Sequence, residues 1–386
     1  MHSAYDAGGQ RTAFKAEIDT GAGYKDDFKN TYTYDNIGRM TQIDQTNQTG
    51  GNAVADKRID LTYNAAGQFT DITRYKSLSG GSGNMVADTD LVYDQLGRLT
   101  DLTHVNGATT FADYDFTYDD FSRMTQMSFT SLVGSNGTSD YSYDDTSQLT
   151  GAVHDYQTDE SYAYDENGNR TNTGYTTGSN NQLTSDGTFN YTYDNDGNRT
   201  KRTRISSDQA DDYETVYTWD RRNRLTKIEE QNNAGTVTKS IDYTYDVFGR
   251  RIGKSIDDDG AGAGATVNTE YIYDGDNIVL SFDESGDLQN RYLHGPVIDM
   301  ILADEQVTST SSDGHTLWPL TDHLGSVRDL VDNDGNVENH ITYDGFENIT
   351  SEYAASVDHI FGFTGRGCLD NPGRRFVTFS LHRQSG

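Results

Sequence analysis

The sequence is poor in the residues from which most soluble folds build a core. Only 70 of its 386 residues are Leu, Ile, Val or Phe. A share below about one fifth, combined with a large net charge, is typical of intrinsically disordered chains. Disorder is therefore the first alternative that a folded interpretation has to exclude.

Cysteine and positive charge are also scarce. The single cysteine, Cys368, excludes an internal disulfide. The chain holds 30 Lys and Arg against 61 Asp and Glu, and its net charge of −31 opposes binding to nucleic-acid phosphates. No apolar run approaches the roughly 18 residues of a membrane-spanning helix, and no signal peptide is visible. We therefore expect no nucleic-acid partner and no membrane insertion, and the compartment stays open.

Tyrosine, in contrast, is abundant and recurs in a fixed context. The pattern Tyr-x-Tyr-Asp-x-x-Gly, usually followed closely by Arg, is clear in five copies. The residues that define these copies are Tyr34, Asp35, Gly38, Tyr93, Asp94, Gly97, Tyr164, Asp165, Gly168, Tyr193, Asp194, Gly197, Tyr245, Asp246 and Gly249. Weaker copies centre on Asp6, Asn64, Asp119, Asp144, Asp220, Asp274 and Asp344. Such a repeat, with a mean interval of about 27 residues, contradicts disorder and indicates a tandem array.

The motif predicts one β-hairpin for each repeat. Tyrosines two residues apart share one face of a strand. The aspartate can accept a backbone hydrogen bond from two residues further on, and the glycine can adopt the left-handed conformation that closes the turn. Asn223 and Asn277 are tolerable at that position, whereas Ser122, Ser147 and Glu347 fit less well. The arginine that follows either reaches a neighbouring carboxylate or is a solvated edge charge.

Hairpins of this size are not stable alone, so neighbouring repeats are expected to form one sheet. The predicted fold class is all-β, with tandem antiparallel hairpins in a spiralling sheet. The array covers residues 1–290. A different segment, 291–366, contains Leu320-Thr321-Asp322-His323-Leu324-Gly325-Ser326-Val327-Arg328 and Phe361-Gly362-Phe363-Thr364-Gly365-Arg366.

The array and the second segment together resemble the YD repeats and the repeat-associated core of the RHS family. That family includes bacterial polymorphic toxins, wall-associated proteins and the animal teneurins. The resemblance covers roughly residues 1–366 and implies a hollow β-shell that encloses the protein's own C-terminal effector. It also implies an extracellular or cell-surface location. Asp322, His323, Gly325 and Arg328 belong to the matching core motif, where we expect Asp322 and His323 to fix a turn.

The last twenty residues depart from the family pattern. Residues 367–386 hold no tyrosine and contain the only cysteine, where relatives continue with tyrosine-rich repeats and an Asp-Pro segment. This tail suggests a frameshift or a truncation, and the start at Met1 suggests a missing cap. The aspartates that many relatives use for self-cleavage therefore cannot be assigned here.

Catalytic and metal-binding patterns are weak. Asp322, His323 and Ser326 lie too close in sequence to form a catalytic triad, so we expect no catalytic residue and no cofactor. The acidic runs at Asp194 and Asp332 lack the glutamate that closes an EF-hand loop. We therefore expect no metal site in them, although weak divalent-ion binding stays open.

The predicted function is a non-catalytic structural shell or scaffold. One alternative is a carbohydrate or cell-surface binding module, in which exposed tyrosines stack on sugar rings. Packing of these rings within the sheet is the simpler explanation. A second alternative is a self-cleaving shell whose motif is absent here.

Overall fold

The computed structural model describes residues 1–19, 23–134, 136–206, 212–346, 348–357 and 359–366. The predicted C-terminal tail with Cys368, and the turn residue Glu347, lie outside the described residues. The described chain is almost entirely β-structure, with two single-turn 3₁₀ helices at Ser179–Asn181 and Phe363–Gly365. The predicted all-β fold of tandem antiparallel hairpins is confirmed. The described residues include no helix long and apolar enough to cross a membrane.

The strands form two antiparallel sheets in which sequence neighbours are also sheet neighbours. The first sheet contains, in order, β1 (His2–Tyr5), β2 (Arg11–Asp19), β3 (Tyr24–Tyr34), β4 (Met40–Asn47), β5 (Lys57–Tyr63), β6 (Phe69–Tyr75), β7 (Met85–Tyr93), β8 (Leu99–Asn106), β9 (Thr109–Tyr118), β10 (Met124–Ser131), β11 (Gly137–Tyr143), β12 (Leu149–His154) and β13 (Glu160–Ser161). This order is a simple meander, which follows from linking each strand to the next by a short turn or loop.

The second sheet continues the same meander through sixteen strands. It contains, in order, β14 (Tyr175–Thr177), β15 (Leu183–Asp186), β16 (Phe189–Tyr193), β17 (Arg199–Arg204), β18 (Glu214–Trp219), β19 (Leu225–Gln231), β20 (Val237–Tyr245), β21 (Arg251–Asp257), β22 (Val267–Asp274), β23 (Asn277–Asp283), β24 (Leu288–His294), β25 (Ile301–Gln306), β26 (His315–Thr321), β27 (Val327–Val331), β28 (Val337–Tyr343) and β29 (Ile349–Glu352).

Most of the described repeat hairpins carry a β-bulge next to the turn. In the hairpin of β3 and β4 the register shifts between Thr33 and Tyr34, so that Tyr34 faces Met40. The same shift recurs before the tyrosine of the other hairpins, for example at Tyr93 and Tyr245. A bulge at a fixed place sets the strand twist and the direction of the aromatic ring in the same way in these hairpins.

The chain divides into two compact units. Unit 1 comprises Met1–Tyr141, Val153–Thr158 and Asn290–Gly386, and unit 2 comprises Ser142–Ala152 and Asp159–Gln289. This division groups the early repeats with the core segment. The predicted boundaries at residues 290 and 366 separate segments of different sequence type and not compact units. These boundaries remain a prediction.

One buried cluster of unit 1 is largely aliphatic and joins distant parts of the chain. Ile43, Ile59 and Leu61 of the repeats pack in one buried cluster with Leu302 and Trp318 of the core segment. A second cluster surrounds Tyr114, Phe116 and Phe129. Burying these side chains from water supplies the main stabilisation of unit 1.

In unit 2 one face of the sheet is covered by arginine side chains that lie over aromatic rings. The guanidinium of Arg202 lies 4.6 Å from the centre of the Phe189 ring, and that of Arg204 lies 4.7 Å from it. Further along, Arg251 lies 5.3 Å from the centre of the Tyr243 ring. The long apolar stems of these arginines cover rings that aliphatic side chains would otherwise bury.

Candidate functional site

The repeat turn is a five-residue loop organised by its aspartate. In the Asp35 turn, one carboxylate oxygen accepts hydrogen bonds from the backbone N–H groups of Ile37 and Arg39, at 3.0 and 2.9 Å. The Gly38 N–H donates to the Asp35 carbonyl at 3.0 Å, and Gly38 has a φ of +88°. The structure therefore places the aspartate and the glycine of the motif in one closed loop.

The same geometry recurs in the other clear copies. Asp94, Asp165, Asp194 and Asp246 each accept the equivalent pair of backbone hydrogen bonds within 3.0 Å. The φ angles are +79° at Gly97, +82° at Gly168, +87° at Gly197 and +90° at Gly249. Repetition of one geometry gives all these turns the same shape.

Among the described repeats, three non-glycine residues occupy the left-handed position. Ser122, Ser147 and Asn223 have φ angles of +62°, +66° and +56°. The prediction that Asn277 fills this role is wrong: the Asp274 repeat turns on Gly275, with a φ of +60°, and Asn277 pairs with Asp274 at the start of β23. A two-residue loop replaces the longer turn there, because glycine supplies the positive φ earlier in the sequence.

Hydrogen bonds hold the turn aspartates in their charged form. The backbone N–H of Arg39 and the Arg39 side chain lower the pKa of Asp35, and the corresponding groups of Arg98 lower the pKa of Asp94. At Asp165 and Asp194 the side-chain amides of Asn169 and Asn198 have this effect. A carboxylate that accepts several N–H bonds is stabilised relative to its protonated form.

In most described repeats the residue four positions after the aspartate links its turn to the next one. The Arg39 Nε donates to Asp35 at 2.7 Å, while its Nη1 donates to the Asn64 carbonyl in the following turn at 3.0 Å. Arg98 reaches the Asp119 carbonyl at 3.1 Å. The arginine pairs with the carboxylate of its own turn, as the first alternative predicts. It is only half-buried, so the second alternative, a solvated charge, is also partly right.

Glutamine and asparagine make the same forward link in other repeats. Gln10 donates to the Gly38 carbonyl at 3.2 Å, and Gln68 donates to the Gly97 carbonyl at 2.8 Å. In unit 2, Asn198 donates to the Asn223 side-chain oxygen at 3.0 Å, and Arg224 donates to the Asp246 carbonyl. The chemical requirement is a side chain that donates hydrogen bonds and is long enough to span two turns.

In most described repeats the aromatic residue that precedes the aspartate links its hairpin to the previous one. The hydroxyl of Tyr34 donates to the Arg11 carbonyl at 2.8 Å, and that of Tyr245 donates to the Leu225 carbonyl at 2.7 Å. Tyr193 bonds the Leu183 carbonyl in the same way. Burial raises the pKa of Tyr34 and of Tyr245, which keeps these hydroxyls protonated as donors.

Two further motif tyrosines, Tyr93 and Tyr164, are also half-buried, and burial raises the pKa of each. Tyr164 forms an isolated bridge with Arg170. In one repeat Trp219 takes the place of the tyrosine, and its indole Nε1 donates to the Arg199 carbonyl at 2.8 Å. In the described repeats this position always holds an aromatic ring with a donor group at its tip.

Each forward arginine also lies over the aromatic ring of the next hairpin. Arg39 lies 4.7 Å from the centre of the Tyr63 ring, and Arg98 lies 4.8 Å from that of Tyr118. In unit 2, Arg224 lies 4.8 Å from the Tyr245 ring centre. The forward and backward links thus meet at one place, and we call this recurring set of contacts the turn ladder.

The core segment repeats the turn in a buried setting. Asp322 accepts hydrogen bonds from the N–H groups of Leu324 and Ser326 at 2.9 and 3.0 Å, and Gly325 has a φ of +80°. The His323 ring lies 4.8 Å from that of Phe116, and burial lowers its pKa. Arg328 is buried, donates to the Ile341 carbonyl at 2.7 Å and lies 3.5 Å from Asp322.

A buried network of four charges in unit 1 was not predicted. Arg291 donates two hydrogen bonds to Asp27, at 2.9 and 2.8 Å, and one to Glu305 at 2.8 Å. Lys57 lies 2.5 Å from the second oxygen of Glu305. All four side chains are fully buried. Two positive and two negative charges balance, as buried ions require.

The pKa values in this network follow from burial and pairing together. Burial lowers the pKa of Lys57, and its pairing with Glu305 opposes that effect. Burial disfavours the charged form of Glu305, but the positive charges of Lys57 and Arg291 outweigh it and lower its pKa. The sequence gives no signal for these pairs, since their members lie about 250 residues apart.

Acidic groups elsewhere form turns or a cross-strand cluster. The carboxylate of Asp332 accepts bonds from Asp334, and from the backbone and side chain of Asn336, within 2.9 Å. The geometry of this acidic run is that of a hairpin turn. On β6 and β7, ligand atoms of Asp71, Asp88 and Asp90 lie within 4.8 Å of one another. Burial and the charge of Asp88 raise the pKa of Asp90 to about 6.

Comparison with known proteins places this fold among YD shells. The Teneurin YD-shell family model matches residues 31–385. A comparison with curated protein sequences gave no match.

Solved structures with the same fold include crystal structures of TcdB2-TccC3 with Cdc42 (16% identity, TM-score 0.55) and with TEV (15%, 0.57). A mutant Tc holotoxin pore of Photorhabdus luminescens is similar at 15% identity with a TM-score of 0.58. These matches cover 94%, 96% and 95% of the present chain, which spans about a fifth of each of the larger chains, 21%, 21% and 20%. With its repeats, turns and hairpin order as described, the chain belongs to the Teneurin YD-shell family.

Proposed function

We propose that the chain is a wall segment of a protein shell and that it encloses an effector polypeptide rather than catalysing a reaction. The turn ladder carries this proposal. The turn ladder links consecutive hairpins at their turns, and the polar groups of the motif are engaged in these structural contacts. Family membership supports a structural shell. The fold similarity to Tc toxin components supports an enclosed partner.

The motif residues are proposed to act as structural elements. In the copy at Tyr34, Asp35 and Gly38, the ring hydroxyl and the carboxylate are hydrogen-bonded and the glycine has a positive φ. Asp322 and Gly325 hold a buried turn, and Arg328 supports the neighbouring strand through the Ile341 carbonyl. We further propose that the shell acts at the cell surface or outside the cell, as the family resemblance implies.

A protection assay tests enclosure. A disordered, epitope-tagged reporter is appended after Gly386, and its digestion by proteinase K is compared between the native chain and the Gly249→Val variant. We expect the reporter to survive at least ten times longer on the native chain. Equal digestion rates in the two proteins would contradict a role in enclosure.

Two additional measurements address the alternative functions. Incubation of the purified chain followed by gel electrophoresis detects self-cleavage, and a glycan array detects carbohydrate binding. We expect a single intact band and no glycan binding above that of a Tyr24→Ala control. A discrete cleavage product would support the self-cleaving alternative, and binding that tyrosine substitutions abolish would support the carbohydrate alternative.

A further inference from the structure

Two aspartates face each other across the joint between two successive hairpins of unit 1. Strand β6 ends the hairpin that turns at Asn64, and β7 begins the hairpin that turns at Asp94. In the antiparallel pairing of β6 and β7, Asp71 lies directly opposite Asp90. Carboxylate oxygens of these two residues and of Asp88 lie within 4.8 Å of one another. Like charges that are directly opposite in a sheet destabilise the strand pair.

The side chains around this pair are mostly acidic. The titratable groups that share its face of the sheet on the adjoining strands are Arg58 and Asp60 of β5, Tyr75 of β6, Asp88 of β7 and Asp101 of β8. Arg58 is already engaged, since it donates to both oxygens of Asp60 at 2.8 and 2.9 Å. Arg74 and His104 are buried on the opposite face. Two ionised carboxylates at this joint therefore repel each other with little compensation.

The surroundings favour one proton for the two carboxyl groups. Burial opposes the ionisation of Asp71, but hydrogen bonds from Thr62, Thr70 and Asp90 outweigh burial and lower the pKa of Asp71. Burial and the charge of Asp88 raise the pKa of Asp90, and its hydrogen bond to Asp71 acts in the same direction. An ionised acceptor beside a protonated donor is the arrangement in which two carboxyl groups share a proton.

The turn ladder is incomplete at this same joint. At Tyr63 and Tyr118 the hydroxyl bonds a carbonyl of the preceding hairpin, and an arginine lies over the ring. Tyr93, the corresponding residue of the hairpin of β7 and β8, makes neither contact with any described residue. The forward link is the Gln68 side chain, which donates to the Gly97 carbonyl at 2.8 Å. The pairing of β6 with β7 therefore depends more on its own cross-strand side chains.

We propose that Asp71 and Asp90 form a proton-dependent contact that holds β6 against β7. With one shared proton, Asp90 donates a hydrogen bond to the Asp71 carboxylate, and the two hairpins stay joined. When that proton is lost, the carboxylates repel each other and the joint opens more often. The joint is therefore tighter in mildly acidic solution than in neutral solution. This inference rests on the strand pairing and does not depend on the proposed enclosing function.

The direction of the pH dependence is opposite to that of the turn aspartates. The pKa of Asp90 is raised to about 6, above the unfolded value of about 3.9. The stabilisation from this contact is therefore complete below about pH 3.9 and is lost as the pH rises through about 6. The pKa values of Asp35 and Asp94 are lowered, so both are ionised throughout that upper range. A change of stability between about pH 5 and pH 7 thus reports on the contact.

Carbon NMR of the full chain, with isotope-labelled aspartate carboxyl groups, measures the shared proton. A chelator is present so that protons are the only ligands of these carboxylates, and Asp90→Asn assigns the Asp90 signal. We expect Asp90 to titrate with a midpoint near pH 6, and Asp88→Asn to lower that midpoint by removing a negative charge. Asp140→Asn changes an exposed aspartate of β11 and is expected to leave the midpoint unchanged. A midpoint below about pH 4.5 in the native chain would overturn the proposal.

Hydrogen exchange measures the effect of the proton on the joint. At the amides of β6 and β7 we expect protection to be about threefold higher, or more, at about pH 5 than at about pH 7. Asp90→Asn keeps a donor for Asp71 and cannot ionise, so we expect high protection at both pH values. Asp90→Ala has no donor and is expected to show low protection at both. Equal protection of the native chain at the two pH values, or a difference that persists in Asp90→Asn, would overturn the proposal.

Discussion

The two units use the same hairpin but cover its aromatic face in different ways. In unit 1 the face packs against the core segment, and the fully buried side chains include Trp318, Leu293 and the charges of Lys57 and Arg291. In unit 2 the described face is covered by the arginines Arg202, Arg204 and Arg251 stacked on rings. Of the twelve largest fully buried side chains in the described residues, eleven belong to unit 1.

This difference shows which contacts are intrinsic to the repeat and which depend on its surroundings. The turn ladder is present in both units, at Arg98 and Tyr118 as well as at Arg224 and Tyr245. The covering of the aromatic face changes with what lies against it. The repeat motif therefore determines the contacts between the turns, and the rest of the sequence determines what covers the face of the sheet.

The two tryptophans allow the units to be followed separately. Trp318 lies in unit 1 and is fully buried, and Trp219 lies in unit 2 and is half-buried. A Trp219→Tyr background leaves Trp318 as the fluorescent reporter, and a Trp318→Phe background leaves Trp219. Tyrosine is the usual residue at position 219 of the motif, so the first background keeps the hydrogen-bond donor.

The largest expected effect comes from breaking the buried charge network. Arg291→Met removes a charge that binds both Asp27 and Glu305, and it leaves two buried carboxylates facing one lysine. We expect unit 1 to lose about 3–5 kcal/mol in urea unfolding followed by Trp318 fluorescence. Arg58→Met, which removes the half-exposed pair with Asp60, is the control and should cost less than about 1 kcal/mol. Equal losses in the two variants would contradict a structural role for the network.

The next effect concerns the turns and should be equal in the two units. Gly97→Val and Gly249→Val each place a branched side chain at a φ near +79° or +90°. We expect each to destabilise its own unit by about 1–3 kcal/mol, measured with that unit's tryptophan. Gly83 lacks a positive φ and has open space around it, so Gly83→Val is the control. An unchanged stability in either turn variant would disprove the turn assignment in that unit.

A smaller effect is expected from the arginine cover of unit 2. Arg251→Met removes the guanidinium from the Tyr243 and Tyr271 rings while retaining an apolar stem. We expect a loss of about 0.5–1 kcal/mol, reported by Trp219. Arg221→Met is the control, because Arg221 is exposed. A stabilised Arg251→Met variant would show that stacking by this arginine does not support the face.

The smallest effect is a change in pH dependence. Hydrogen bonds lower the pKa of Asp94, so its contribution to stability is present above the unfolded pKa of about 3.9 and is lost as pH falls through the folded pKa. Asn64 shows that asparagine keeps the same backbone bonds, from Ala66 and Gln68. Between about pH 5 and pH 2, we expect the melting temperature of unit 1 to change slightly less with pH in Asp94→Asn than in the native protein. An unchanged pH profile would contradict the ionised turn.

The sequence predicts the turns well, because each turn depends on residues that are close in sequence. The Asp35 turn and the left-handed Gly38 follow from residues three positions apart, and the structure has both. The sequence did not identify the Asn64 carbonyl as a hydrogen-bond partner of Arg39, because Asn64 belongs to the next repeat. Asn277 was misplaced because Gly275 offers an easier route to a positive φ.

The face of the sheet could not be predicted, because it depends on distant contacts. Asp27 and Lys57 lie in ordinary strand sequences, and their partners Arg291 and Glu305 lie in the core segment. A single sequence carries no signal for such pairings. The tyrosines were expected to pack as rings, and their hydroxyl bonds to specific carbonyls became visible only with the register of the strands.

Hydrogen exchange with single-residue resolution tests the central claim most directly, namely that the turn ladder joins successive hairpins within each sheet. We predict slow exchange at the strand amides of β7–β10, and a joint loss of protection in both hairpins when Arg98→Ala removes the link to the Asp119 turn. Rapid exchange in the native protein, or loss of protection confined to the hairpin of β7 and β8, would contradict the account.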